Sequence, residues 1–157
     1  MITLHPLARG DGARVAHIAV HPDQRKFSGT GADARADDPD RVDLHMFGRD
    51  GAPVGLFKVD RGYARDYPFA APGDLGLRAL MIDGPAQGGG LGKAAMSALH
   101  GYLPPLYPDT QVIWLTVNFK NPAARSVYLK SGFTETGEIW RGGKNGPQHV
   151  MRLALRR

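Results

Sequence analysis

Between residues 82 and 95 the sequence reads Ile82-Asp83-Gly84-Pro85-Ala86-Gln87-Gly88-Gly89-Gly90-Leu91-Gly92-Lys93-Ala94-Ala95. An apolar stretch ends, glycines follow, and an apolar pattern of helical period begins. Successive backbone N–H groups in such a loop point outward together, and the dipole of the following helix adds positive potential, so the segment forms an anion cradle. Glycine removes the side chains that would hold a phosphate away from the backbone. A second stretch lies downstream, Val117-Asn118-Phe119-Lys120-Asn121-Pro122-Ala123-Ala124-Arg125-Ser126-Val127-Tyr128, closing on Ser131-Gly132-Phe133. Helical spacing lines up Asn121, Ala124 and Tyr128 along one stripe. Asn121 suits a helix N-cap or a partner for a ligand amide, and Tyr128 suits a core aromatic whose hydroxyl finds an acceptor.

Three phosphate-loop patterns compete for the glycine segment. The Walker pattern GxxxxGK[ST] needs glycine at 87 and Ser or Thr at 94, and Gln87 and Ala94 fail both requirements. The dinucleotide pattern GxGxxA is met by Gly90-Leu91-Gly92-Lys93-Ala94-Ala95, but the next strand ends at Val117-Asn118 without the acid that would hold the ribose hydroxyls. The third pattern, QxxGxG, fits Gln87-Gly88-Gly89-Gly90-Leu91-Gly92. It resembles the pyrophosphate loop of the GNAT superfamily of N-acetyltransferases. The downstream stretch resembles the other hallmark of that superfamily, VNxxNxxAxxxYxxxGF, and matches it at every named position. The resemblance covers at least Leu75 to Leu155.

The resemblance implies one α/β domain spanning residues 1–157. Its mixed, mostly antiparallel sheet of six to seven strands is flanked by helices and splayed at the central strands. It implies acetyl-CoA as acyl donor and no metal. The donor would be held by Met81, Ile82, Gln87, Gly88, Gly89, Gly90, Leu91, Gly92, Lys93, Asn118, Asn121, Arg125 and Tyr128, with Lys130 also in reach of its phosphates. The implied reaction is attack of a small primary amine on the thioester through a tetrahedral intermediate. A backbone N–H near Met81–Ile82 would face the oxyanion, and Tyr128 would be the acid for the leaving thiol. An alkyl amine has a pKa near ~10.4, so its neutral form at pH 7 costs roughly 4–5 kcal/mol. The segment Leu77-Arg78-Ala79-Leu80-Met81 lacks the Glu some relatives carry as base, leaving Asp74, Asp83, His45 and His149 as candidates through water. That gap also favours an alternative, an acyl-CoA-binding module with little or no turnover. Arg78 suits a salt bridge or a substrate carboxylate, the latter pointing to an amino acid over a polyamine. Short segments such as His21–Phe27, Leu77–Asp83, Thr136–Ile139 and Val150–Leu153 resemble bacterial spermine/spermidine N-acetyltransferases. The resemblance also allows a homodimer.

The elements that must position these residues are legible from pattern. Ile2–Leu7 alternates as a strand, Asp11–Val20 reads as a helix facing inward with Val15, Ile18 and Ala19, and residues 28–41 read as polar loop. Val42–Phe47 and Pro53–Asp60 form a hairpin across Gly48-Arg49-Asp50-Gly51. Residues 61–73 are loop, and Asp74–Asp83 ends in a central strand. Leu91–Leu103 is amphipathic helix that Pro104-Pro105 should stop. Gln111–Val117 is a buried strand. Asn121-Pro122 opens a helix that Gly132 follows. Phe133–Trp140 and Gln148–Leu155 are antiparallel strands.

Composition sets the outer limits. The 157 residues suit one domain, 42% hydrophobic content supports a packed core, and the absence of cysteine excludes disulfides and thiol nucleophiles. The net charge of +5 is uneven, with 11 Lys/Arg against 12 Asp/Glu in residues 1–83 and 9 against 3 in 84–157. The scattered basic residues favour a small phosphorylated ligand over nucleic acid. No apolar run reaches the ~18 residues of a membrane helix and no signal-peptide pattern opens the chain, so the expectation is a cytoplasmic protein without membrane partners. His17 and His21 have a metal-ligand spacing, but Ile18 stands where HExxH needs Glu. Asp37, Asp38 and Asp40 read as a solvated loop that attracts cations.

Overall fold

The computed structural model describes residues 2–19, 39–143 and 145–156. Seven strands form one sheet in the order β1-β2-β3-β4-β5-β7-β6. They are β1 (Ile2–Leu7), β2 (Val42–Arg49), β3 (Ala52–Asp60), β4 (Leu75–Ile82), β5 (Val112–Asn118), β6 (Thr134–Trp140) and β7 (Gln148–Ala154). Every neighbouring pair is antiparallel except β4 and β5. Helices α1 (Leu91–Ser97) and α2 (Leu99–Leu106) make the crossover between those two parallel strands, and α3 (Pro122–Lys130) links β5 to β6. The expected α/β architecture with a splayed centre is present. β4 and β5 share only the pairs Leu75–Ile113 and Gly76–Trp114, and the strands part beyond them.

Local chemistry explains most boundaries. Asp50 and Gly51 both have positive φ, 52° and 84°, the turn that matches strand twist in a two-residue hairpin, and Arg49 pairs Ala52 across it. Asn121 caps α3 by accepting the Ala124 N–H at 3.3 Å, Pro122 occupies the first helical position, and Gly132 leaves the helix at φ 102°. The helix face of the sheet is sealed by Leu75, Leu77, Ile113, Leu115, Met151 and Leu153 against Ala95, Met96, Leu99, Leu103 and Tyr128. A second cluster of Leu7, Val15, Ile18, Leu44, Met46, Leu56 and Met81 covers part of the opposite face.

β4 contains a bulge that no sequence pattern announces. Between the pairs Leu56–Met81 and Lys58–Arg78 the register advances two residues on β3 and three on β4. Ala79 takes up the difference at φ 54°, in the left-handed region. Side-chain alternation therefore slips at this point. Leu75 and Leu77 face the helices, Met81 faces the other cluster, and Leu80 and Ile82 return to the helix side.

Three expectations need correction or fall outside view. The helix expected over Asp11–Val20 does not form across its described part, which ends at Ala19; a 3-10 turn covers Arg9–Arg14, and Val15 and Ile18 are buried beyond it. The Ala19 N–H goes to Asp83 Oδ1 at 3.1 Å and its carbonyl takes the Gly84 N–H at 2.8 Å, so a long-range pair replaces local helical bonds. The helix predicted over Leu91–Leu103 breaks at Ala98, and α2 continues through Pro104 and Pro105 to Leu106. Proline's fixed φ suits a helix. Its missing N–H groups fall in the final turn, which Tyr107 N–H still closes onto Leu103 O at 2.9 Å. The segments at 21–27 and 28–38, with His21, Asp37 and Asp38, lie outside the described residues.

Candidate active site

The glycine segment leaves β4 through a 3-10 turn, Gly84–Ala86, and enters α1. Gln87 braces the loop, its Nε2 donating to Ile82 O at 2.8 Å. Gly88 and Gly90 have φ 88° and 76°, conformations that glycine adopts without strain. Gly88, Gly89 and Gly90 are exposed, and a Cβ built on any of them would meet nothing within 4 Å. Packing therefore does not require glycine at these three positions. The first helical bond is Ala94 N–H to Gly90 O at 3.0 Å, so the amides of Leu91, Gly92 and Lys93 belong to the open first turn.

Gly92 is different. A Cβ there would sit 2.8 Å from Ile82 Cδ1 and 3.6 Å from Val127 Cγ1, so this glycine brings the start of α1 against the end of β4 and against α3. Ser131 adds a tie at the end of α3, donating to Val127 O at 2.6 Å and lying 3.4 Å from Lys93 O. The loop, the end of β4 and the helix carrying Tyr128 thus converge. Met81 is fully buried in β4, Ile82 and Leu91 sit at either end of the loop, and Lys93 is exposed on the first turn of α1.

Tyr128 is 7% exposed and packs edge-on against Phe133 with ring centroids 5.5 Å apart. Burial pushes its phenol well above the ordinary value. Its hydroxyl makes no hydrogen bond among the described residues, an uncommon state for a buried phenol. The other predicted ligands are committed within the protein. Asn118 donates from Nδ2 to Asn145 O at 2.9 Å and accepts the Lys120 N–H at 2.8 Å, fastening β5 to the β6–β7 turn. Asn121 caps α3, and Arg125 is paired with Glu135 on β6. Lys130 lies in the last turn of α3.

Of the four candidate bases, three are structural. Asp74 Oδ2 accepts from Trp114 Nε1 at 2.8 Å and from Ala71 N–H at 2.9 Å, while Asp83 holds Ala19. His45 is 2% exposed, with Nδ1 2.7 Å from the Tyr102 hydroxyl and Nε2 2.9 Å from that of Tyr107. The Tyr107 hydroxyl donates to Asp43 at 2.7 Å, so its single proton is spent and it accepts from His45 Nε2–H. Nδ1 then accepts from Tyr102. Burial lowers the His45 pKa to about 4, and the ring is neutral with both nitrogens engaged. His149, stacked on Phe119 at 3.9 Å, is the candidate whose titratable atoms make no hydrogen bond among the described residues. Arg78 lies 3.4 Å from Asp60, a buried carboxylate that also takes two bonds from Arg41 at 2.8 and 2.9 Å. Sequence pattern did not reveal this buried ion cluster, nor the His45 network, because both depend on partners 18 or more residues away.

Residues 28–133 match the model of the Acetyltransferase (GNAT) family. The chain belongs to that family. The Uncharacterized N-acetyltransferase YbbJ of Bacillus subtilis (strain 168) is 32% identical to this GNAT chain over 108 residues, 66% of this chain and 64% of that relative. The match therefore spans just under two thirds of the relative's length. The fold is similar to a crystal structure of aminoglycoside acetyltransferase AAC(6')-Ib in complex with coenzyme A. The TM-score is 0.78 at 22% identity, covering 98% of this chain and 95% of the other. It is also similar to a spermidine N-acetyltransferase SpeG chimera from Vibrio cholerae and hSSAT, with TM-score 0.70 at 17% identity and coverage of 98% and 95%. Among the described residues, no group of three or more His, Asp or Glu comes together, and no helix is long and apolar enough to cross a membrane.

Proposed function

We propose that this GNAT protein transfers the acetyl group of acetyl-CoA to a primary amine of a small molecule. The observation that carries the reading is the open glycine arc, Gly88 to Gly90, beside the place where β4 and β5 part. Acetyl-CoA supplies an activated thioester when bound. The amides of residues 87–93 bind its diphosphate, and the bare Cβ positions let phosphate oxygens reach the backbone. Beyond Gly76 the β5-facing edge of β4 has no strand partner, and a backbone N–H near Met81–Ile82 polarises the reacting carbonyl there. The neutral amine attacks that carbonyl carbon, the C–S bond breaks, the Tyr128 hydroxyl gives its proton to the departing sulfur, and the proton that the acylated nitrogen sheds returns through water to the tyrosinate. A phenol held far above neutrality stays protonated until it is needed. Asn121 lends a side-chain amide to the donor's arm while it caps α3, and Lys93 meets its phosphates.

A second reading, binding of an acyl-CoA with little or no turnover, draws on the structural commitment of Asp74, Asp83 and His45. Calorimetry with acetyl-CoA and a free-thiol assay across polyamines, amino acids and aminoglycosides separate the two. The transferase reading expects binding heat and thiol release with at least one amine class, slowed about a hundredfold in Tyr128→Phe with donor affinity retained. Heat without thiol release would favour the binding module, and no heat would sink both.

A further inference from the structure

On the sheet face opposite α1–α3 lies a feature that donor binding leaves unused. Leu75, Leu77, Ile113 and Leu115 point to the helices, so strand alternation places Gly76, Arg78 and Trp114 on the other side. There Tyr67 and Phe69, from the segment between β3 and β4, meet Trp114 of β5 and Trp140 at the end of β6. Ring centroids are 5.0 Å apart for Tyr67–Trp140, 5.3 Å for Phe69–Trp114 and 5.6 Å for Tyr67–Phe69. All four rings are half-buried, so the cluster keeps aromatic surface in contact with solvent.

Two cations and a carboxylate border this platform, the carboxylate being Asp74, whose Oδ2 accepts the Trp114 Nε1–H at 2.8 Å and the Ala71 N–H at 2.9 Å. The Arg152 guanidinium lies 5.4 Å from the Trp114 centroid and has no carboxylate within ion-pair distance among the described residues. The Arg78 side chain is 40% exposed and reaches Asp60 only at 3.4 Å, where Arg41 already supplies two bonds. Position gives the platform a role. Gly76–Trp114 is the last pair before β4 and β5 part, so the rings stand at the apex of the opening. Arg78 immediately precedes the bulge, and two to three residues of strand, ~7–10 Å, separate it from Leu80 and Met81.

We propose that this platform selects the acceptor, and that the acceptor is a primary amine carrying a flat aromatic ring and a carboxylate, as an aromatic amino acid does. The inference rests on the acetyl-transfer reading above and names its substrate class. The ring stacks on the platform, the carboxylate pairs with Arg152 and Arg78, and the amine extends along the gap toward Met81. A polyamine or aminoglycoside would leave Arg152 without an anion, and Asp74, the carboxylate beside Trp114, already accepts two N–H groups. Aromatic rings alone attract cations, but the guanidinium of Arg152 already lies over Trp114.

Trp114 and Trp140 are the only tryptophans in the sequence, so tryptophan emission reports on the platform directly. The full chain, with and without coenzyme A, is titrated with phenylalanine, phenethylamine and spermidine. Phenylalanine is expected to change the emission saturably, phenethylamine with a Kd about tenfold higher for want of the carboxylate, and spermidine not at all. Arg152→Gln, a surface change that leaves Arg78 in place, should narrow the difference between phenylalanine and phenethylamine, and Trp140→Leu should weaken both. Absence of a saturable response to phenylalanine in both states, tighter binding of spermidine, or an Arg152→Gln protein that discriminates by the carboxylate as fully as the native one would overturn the proposal. Loss of the acetyl-transfer reading would show separately, as absence of heat with acetyl-CoA.

Discussion

Lowering the pH from 7 toward 4 should destabilise this protein through one buried side chain. His45 sits between two tyrosine hydroxyls and flat against Phe57, 5.2 Å between centroids, and a second ring proton would displace the one that Tyr102 donates to Nδ1. Burial lowers its pKa from 6.5 to about 4. In the unfolded chain the same ring takes up a proton near its ordinary value. The unfolded state therefore binds more protons throughout the interval between the two, and stability falls as pH falls through it. The contribution is complete above about pH 6.5 and exhausted near the folded value. Each pKa unit corresponds to about 1.4 kcal/mol, so the full interval amounts to about 3 kcal/mol. Urea unfolding at a series of pH values measures this in the native protein and in His45→Phe, which keeps an aromatic against Phe57 but cannot titrate. The variant should be less stable at pH 7, because it leaves the Tyr102 hydroxyl without its partner and takes one of two from Tyr107, yet should lose about 3 kcal/mol less on acidification. Taking the difference between the proteins cancels Asp60, whose carboxyl pays for burial but is held below its ordinary value by Arg41 and the Gly62 N–H, and which loses its contribution only at lower pH. Parallel stability profiles, or a His45 ring that titrates near 6.5 by NMR in the folded state, would refute the reasoning.

Other substitutions test the remaining parts. Gly89→Ala meets open space and no positive φ, so stability should hold within about 0.5 kcal/mol. Affinity for acetyl-CoA should fall at least severalfold by calorimetry if the loop amides grip the diphosphate. Gly76→Ala would place its methyl inside the Tyr63 ring beneath the aromatic platform, and thermal unfolding should report a loss of about 3 kcal/mol. Asn121→Ala removes the cap of α3 and should cost about 1 kcal/mol in urea unfolding, with an added loss of acetyl-CoA affinity only if the side chain also holds the donor.

What the sequence disclosed and what it withheld divide by the range of the interactions concerned. The Asp50-Gly51 turn, the Asn121-Pro122 helix start, the Gly132 stop and the glycine arc follow rules that operate within a few residues, and each stands where the pattern placed it. The same local rules misjudged Asp11–Val20, where Asp83 captures the Ala19 amide across 64 positions. They stopped a helix at Pro104-Pro105 that the final-turn bond of Tyr107 carries on. Arg78 was legible as a cation seeking a carboxylate, but only the fold identifies Asp60 as its partner. Asn118 and Arg125 carry the motif by position, while their polar atoms turn to Asn145 and Glu135. The aromatic platform draws on four separate segments, and no spacing in one of them foretells the others.

The bulge at Ala79 lets the backbone conformation of a single residue decide where the rest of the strand points. Arg78 and Ala79 fall on the same side of the sheet, so the surplus residue is absorbed and the strand beyond it keeps the facing it would have without it. Drawing Ala79 into regular alternation, with no residue lost, would turn Met81 toward the helices and Leu80 and Ile82 away from them, and so would re-aim the whole exit into the glycine arc. Exchanges among small residues at 79 leave this phasing intact. Descendants of this chain should therefore lose residue 79 outright more readily than they replace it with a β-branched residue, for which its left-handed backbone is costly.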